Sequence, residues 1–352
     1  MKNNAAIISL SFPFAAGVTA AALAAVPFEG AIACSVAAAV CICLCTWSSK
    51  RCKGLLQLLF FCLGALCWCT DALSPRQVQL SGFEPLADSL EELLDRIPFA
   101  GEHSNAIIKA LLTGRRSSLP KETLEAFRCS GAAHILALSG LHLGVIYACL
   151  RKILGVLGGS SPARCIQSTL TIAACGVYAA ATGASPSIVR AFLFIILNEA
   201  GRAMSGRAHS PLGTFCLALT IQLAAQPGVI SSLAFQLSYL SLLGITVLYP
   251  KLEGWYPRTR SRDPLRAVWN SAALSASCQL FTAPLIWLRF RSFPLYFLIT
   301  NLIALPLTEL IIVGAASCAI AEAIWGCPRI LATVCGKAVE TMEFCLEAIS
   351  SL

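Results

Sequence analysis

Runs of apolar residues recur along the whole length of this 352-residue chain, and they constrain the fold more than any other feature. A helix needs about 20 mostly apolar residues to cross the ~30 Å hydrocarbon core of a bilayer. Such runs lie at 5–26, 30–47 and 54–70, and they resume near residue 132. Only 12% of the residues are charged, against about 25% in soluble domains. The sequence therefore predicts an all-α, polytopic integral membrane bundle of about nine to eleven spans, some short, broken or re-entrant.

The positions of lysine and arginine predict which loops face the cytoplasm. Basic residues cluster at 48–53, 151–164, 202–207 and 251–266. If each predicted span up to residue 266 crosses the membrane once, all four clusters lie on the cytoplasmic face and the polar segment 71–131 lies outside. The alternation weakens after the last cluster, so the topology of the C-terminal part stays open. We expect a multi-pass protein of the cytoplasmic (inner) membrane.

The polar segment contains helices of its own. Within EPLADSLEELLDRIPF, apolar side chains recur at helical spacing at Leu86, Leu90, Leu93, Leu94 and Ile97. This spacing indicates an amphipathic helix that lies on the membrane or on the outer rim of the protein. We therefore divide the chain into N-terminal membrane helices (1–70), an extracytoplasmic linker with amphipathic helices (71–131) and a membrane core (132–352).

The stretch HILALSGLHLGVIYACL, which begins at His134, is apolar yet holds two of the four histidines. Gly140 and Gly144 share a face with alanines, and small residues let a second helix pack closely. His134 and His142 occupy the adjoining face, and Ser139 precedes the first glycine. The pattern fits either one tightly packed helix with a polar edge or two half-helices broken at the Ser-Gly step. Both place the polar edge against protein or water, because polar groups that face lipid are costly.

A longer segment around this stretch, FRCSGAAHILALSGLHLGVI (127–146), resembles the signature of the ComEC family of competence proteins. These are inner-membrane channels that pass single-stranded DNA during natural transformation. ALLTG precedes the segment, and YAAATGASPSIVRA and FQLSYLSLLGI follow it in the family's order, so the resemblance covers roughly 84–325. It implies a channel for single-stranded DNA. The residues expected to line the DNA path are His134, Ser139, Gly140, His142, Tyr178, Ser185, Arg190, Gln236, Ser238, Gln279 and Asn301.

The chain also departs from the pattern of full-length relatives, which carry an extracellular OB-fold domain and a metallo-β-lactamase-like domain. Residues 71–83 are too few for an OB fold, and no histidine- and aspartate-rich metal motif is present. We therefore expect a DNA-uptake receptor, a cytoplasmic helicase and a separate nuclease as partners. Homo-oligomeric assembly is left open. Arg115 stands where relatives tend to have an acidic residue.

The segment GASPSIVRA is the best candidate for contact with an anion. Ser185 can cap a helix that begins at Pro186, a position where proline is tolerated. The N–H groups of a helix N-terminus favour anions, and Arg190, about one turn further on, adds a fork suited to phosphate. The alternative interpretation is an arginine at a membrane boundary that fixes the depth of the helix.

The other polar residues have structural interpretations as well. The two histidines can be buried hydrogen-bonding groups, and side-chain amides within membranes mostly bond neighbouring helices. No carboxylate accompanies the histidines, HExxH and GxxxxGK[ST] are absent, and most of the 18 cysteines lie in apolar runs. We expect no catalysis, metal or cofactor, and passage driven by a partner. A transporter of another substrate, or a structural subunit that works with a separate nuclease, remains the alternative.

Overall fold

The computed structural model is helical throughout the part of the chain that it describes. The described residues are 2–25, 27–47, 53–74, 84–101, 103–136, 140–205, 210–257, 263–291 and 296–350. Their regular structure consists of sixteen α-helices and two 3₁₀ turns. This architecture confirms the predicted all-α fold class.

The helices range in length from 4 residues in α7 to 28 residues in α15. In chain order they are α1 (Lys2–Ala24), α2 (Pro27–Trp47), α3 (Lys53–Leu73), α4 (Glu84–Asp95), α5 (Ser104–Thr113), α6 (Lys121–Cys129), α7 (Ala133–Leu136), α8 (Gly140–Leu154), α9 (Ser161–Ala181), α10 (Pro186–Ser205), α11 (Pro211–Ala225), α12 (Leu233–Val247), α13 (Tyr249–Glu253), α14 (Pro264–Phe290), α15 (Phe297–Ile324) and α16 (Arg329–Ser350). The 3₁₀ turns follow α8 at Gly155–Leu157 and α11 at Pro227–Ser231.

Seven helical segments within the described residues are long and apolar enough to cross a membrane, so the chain is a multi-pass membrane protein. They are α1, α2, α3, α8 with its 3₁₀ turn, α12 with α13, α14 and α15. The expectation of nine to eleven spans also included α9, α10, α11 and α16. All four form helices, but α11 has only 15 residues, and α10 carries Arg190, Glu199 and Arg202.

The chain packs into two compact units, each built from two segments. Unit 1 comprises Met1–Gln79 and Leu193–Leu242, and unit 2 comprises Leu80–Phe192 and Leu243–Leu352. These units are defined by packing and are discontinuous in sequence. The division into 1–70, 71–131 and 132–352 stays a prediction.

In unit 1, α1 and α3 cross at glycines that allow their backbones to touch. A Cβ atom added at Gly17 would lie 2.0 Å from the carbonyl oxygen of Phe61. A Cβ atom added at Gly64 would lie 2.1 Å from the carbonyl oxygen of Phe14. Small residues serve this purpose in membrane helices because a larger side chain would separate the backbones.

In unit 2, the core lies where α4, α5 and α6 pack against α15 and α16. Leu94 and Ile97 of the predicted amphipathic segment are buried in this core, together with Ile311 and Val339. The later part of the apolar face of α4 is therefore covered by protein. Leu86, at the start of the same segment, is exposed.

Candidate functional site

The signature segment, residues 127–146, folds as the end of α6, the short α7 and the start of α8. Gly131, with φ of 81°, forms part of the turn between α6 and α7 in a conformation that other residues rarely adopt. Residues 137–139 lie outside the described residues, so the role predicted for Ser139 stays a prediction. The described residues on either side of this gap, α7 and the start of α8, are helical.

Side chains from distant parts of unit 2 hold the backbone of this region. Thr300 Oγ1 donates a hydrogen bond of 2.7 Å to the Ser130 carbonyl oxygen, just after α6. Arg116 Nε donates one of 3.1 Å to the Leu136 carbonyl oxygen at the end of α7. The last carbonyl groups of a helix have no partner within the helix, and Thr300 supplies one just after α6. The end of α6 and the short α7 are thereby held in place by contacts that no local pattern encodes.

Tyr178 makes the same kind of contact with the helix that precedes the signature segment. Its hydroxyl donates a 2.9 Å hydrogen bond to the carbonyl oxygen of Leu112, near the end of α5. Gly114, two residues after Leu112, ends α5 in the left-handed conformation, as is common at helix C-termini. Tyr178 thus joins α9 to α5, and the DNA-lining role predicted for it stays a prediction.

The two histidines of the segment have different environments. His134 is exposed, and its Nδ1 lies 3.0 Å from the Gly131 carbonyl oxygen, to which it donates. The side chain of Asn301, on α15, also interacts with His134. His142 is buried, with 1% of its surface exposed. The structure therefore brings together two predicted path residues, His134 and Asn301, that are far apart in sequence.

Arg190 lies one turn inside α10, which begins at Pro186 as predicted. Only 4% of its surface is exposed, and its Nη2 donates to the Ser187 carbonyl oxygen at 3.3 Å. The Ser185 oxygen is buried and has no hydrogen-bond partner among the described residues, so the expected capping bond is not formed. The chain reaches Ser185 directly from Ala184, whose positive φ of 46° sets the direction of entry into the helix.

The remaining predicted path residues are divided between the two units. Gln236 and Ser238 lie on α12 in unit 1, and Gln236 Nε2 donates to the carbonyl oxygen of Ile230 at 2.8 Å. Gln279 lies on α14 in unit 2, and its buried amide nitrogen has no hydrogen-bond partner among the described residues. Their role in lining a path stays a prediction.

The two glycines of the signature segment differ in what they face. A Cβ atom added at Gly140 would lie 3.2 Å from the Cβ of Ala191, so this end of the small-residue face packs against α10 next to Arg190. A Cβ atom added at Gly144 would meet nothing within 4 Å. Gly144 instead lines a groove of about 670 Å³ between α8 and α15.

Three residues of this region were not identified from the sequence. Glu309, a carboxylate within the apolar α15, lines the groove. Its isolation in an apolar run was a signal that could have revealed it. Arg116 and Thr300 gave no such signal, because their importance comes from long-range contacts.

Arg115, which departs from the family pattern, forms ion pairs with α4. Its Nη1 lies 2.5 Å from an oxygen of Asp88 and 3.6 Å from an oxygen of Glu91. The hydrogen bond to Asp88 is the main cause that raises the pKa of Arg115. This basic residue therefore joins the loop after α5 to the amphipathic helix α4.

A model of the family described as "Competence protein" matches residues 111–352 of this chain. Among curated proteins, ComE operon protein 3 of Bacillus subtilis is 28% identical over 61% of this chain and 26% of its own length. The uncharacterized protein YcaI of Escherichia coli is 29% identical over 68% of this chain and 32% of its own. Recombination protein 2 of Haemophilus influenzae is 27% identical over 59% of this chain and 27% of its own.

The chain therefore covers about a quarter to a third of the length of these relatives. No solved structure matches it. The family match extends over more than half of the chain and includes the signature segment, α8, α10 and α15, which confirms the resemblance found in the sequence. This multi-pass helical membrane protein belongs to the Competence protein family.

Proposed function

We propose that this chain forms the membrane core of a passage that admits single-stranded DNA through the cytoplasmic membrane during natural transformation. Its family and the names of two relatives, ComE operon protein 3 and Recombination protein 2, support a role in competence. Its helices support a position within the membrane, since seven segments of the described part are long and apolar enough to cross it.

The observation that carries the proposal is the placement of Arg190. It is buried in the first turn and a half of α10, and the next residue, Ala191, packs against Gly140 of the signature segment. A guanidinium group can form two parallel hydrogen bonds with a phosphate, and the N–H groups at a helix start favour the same charge. A cation next to the family's signature segment suits a polyanion such as DNA.

The replacement of Arg190 by alanine tests this role. In a strain that depends on this chain, we expect R190A to lower the entry of labelled DNA into the cytoplasm by at least about tenfold, since charge-assisted contacts contribute about 1.5–3 kcal/mol each. R190K should retain part of the entry, because lysine keeps the charge but lacks the fork.

The matched control is R164A. Arg164 also lies near the start of a helix, α9, but its Nη1 donates to the Gly159 carbonyl oxygen at 2.9 Å in the preceding loop. We expect R164A to leave DNA entry unchanged. Normal entry in R190A, at wild-type protein level in the membrane, would refute the proposed role of Arg190.

We further propose that the chain itself is not an enzyme and that partner proteins supply capture, strand degradation and driving force. A DNA-uptake receptor, a cytoplasmic helicase and a separate nuclease would have these tasks. Transport of another substrate predicts no defect in labelled-DNA entry when the gene is deleted. A structural subunit predicts that the nuclease is lost from the membrane in that deletion.

A further inference from the structure

We propose that the groove between α8 and α15 binds a transmembrane helix of another protein that carries a lysine or arginine midway along its apolar stretch. The Glu309 carboxylate would pair with that cation. This inference concerns an interaction surface and does not depend on the passage of DNA.

The groove has the form that close contact with a helix requires. Gly140, Gly144 and Ala148 line one wall, and Glu309 and Leu310 belong to the other. A Cβ atom added at Gly144 would meet nothing within 4 Å, so the backbone of α8 is open to the groove at this position. Small residues on one helix allow a second helix to approach until the two backbones are in van der Waals contact.

Glu309 lies deep within the span. It is the twelfth residue after Phe297, where α15 begins, which places it about 18 Å along the helix at ~1.5 Å per residue. It is exposed, as are its neighbours Leu310 and Val313, at 55% and 37%. An ionisable side chain at this depth is costly, and such residues generally pair with an opposite charge or face a cavity.

Two other carboxylates in apolar helices have partners within the protein. Glu322, near the end of α15, accepts a 2.7 Å hydrogen bond from the backbone N–H of Cys327. Glu199 is fully buried, and its Oε1 lies 3.8 Å from Nε of Arg202. Glu309 has neither an ion pair nor a hydrogen bond with any described residue. The described residues therefore supply no charge that complements it.

The negative charge of Glu309 selects among the occupants of the groove. A DNA strand would bring phosphates close to a carboxylate, which is repulsive. A second copy related by two-fold symmetry at this face would bring the two Glu309 carboxylates together. Lipid chains would leave the carboxylate without a partner. A basic transmembrane helix satisfies both the shape of the groove and its charge.

The experiment uses the full-length protein in phosphatidylcholine vesicles and synthetic leucine-alanine transmembrane peptides. One peptide has a lysine at its centre and the other a leucine, and each carries a dansyl group that quenches the protein's tryptophan fluorescence on binding. For the wild-type protein we expect the lysine peptide to bind about tenfold more tightly, a difference of ~1.4 kcal/mol. E309Q should bind both peptides equally.

Two further variants separate the groove from the rest of the protein. E322Q removes a carboxylate from the same helix and should keep the preference for the lysine peptide. G144L places a large side chain in the groove and should weaken the binding of both peptides. Equal binding of the two peptides by the wild-type protein, an unchanged preference in E309Q, or full binding by G144L would each overturn the proposal.

Discussion

The hydrogen bond from Thr300 to Ser130 allows a sharp test of how the signature segment is held. Both residues are fully buried, and the donor on α15 lies 2.7 Å from the carbonyl oxygen that follows α6. Valine has nearly the shape of threonine but no hydroxyl. T300V therefore removes the donor and leaves a buried carbonyl group without this partner.

The expected loss follows from the cost of an unsatisfied buried acceptor, which is about 1–3 kcal/mol. Thr308, on the same helix and also fully buried, is the matched control. Its hydroxyl donates to the Ala304 carbonyl oxygen, which is interior to α15, and contacts the Met342 sulfur, a weak acceptor. T308V leaves the helical hydrogen bond of that carbonyl group intact, so we expect a loss below about 1 kcal/mol.

The assay is unfolding of the purified protein in mild detergent by titration with sodium dodecyl sulfate, followed by circular dichroism. T300V should lower the free energy of unfolding by clearly more than T308V does. If T300V stays within about 0.5 kcal/mol of the wild type, the range of an ordinary surface substitution, the hydrogen bond does not hold the segment. Equal losses in the two variants would also refute the reasoning.

Two further predictions concern packing and pH. A Cβ atom added at Gly244 would lie 2.2 Å from the Ser277 carbonyl oxygen. G244A should therefore lower the free energy of unfolding by about 1–3 kcal/mol in the same titration. The control is G144A, where an added Cβ atom meets nothing within 4 Å; it should leave the free energy of unfolding unchanged or raise it by up to ~1 kcal/mol. Burial, reinforced by Glu347 and opposed by His103, raises the pKa of Glu343 on the amphipathic α16. The unfolded state therefore loses its proton first, and stability should fall as the pH rises from the ordinary carboxyl range through the raised value. E343Q should flatten that dependence, and an unchanged pH profile would contradict it.

The sequence predicted the elements of the fold much better than their contacts. The amphipathic pattern of Leu90 and Leu94 predicted α4, but not which of two surfaces its apolar face would cover. The start of α10 at Pro186 was predicted correctly, whereas the capping bond expected from Ser185 was not formed. His134 was singled out by its type, yet its neighbour Asn301 lies more than 160 positions away in the chain.

By itself, the sequence determined that this protein is a helical membrane protein, because helices arise from hydrogen bonds and side-chain periodicity within a few residues of each other. The resemblance to the Competence family came from its sequence motifs and not from this periodicity. The tertiary structure alone decided that Thr300 holds the end of α6 and that Arg116 holds the backbone of α7. It also decided that Gly140 packs against Ala191, whereas Gly144 has no neighbour within 4 Å of an added Cβ atom and lines a groove with Glu309. Such contacts depend on which helices pack together, and that pairing is set by the three-dimensional fit of whole surfaces rather than by neighbours in the chain.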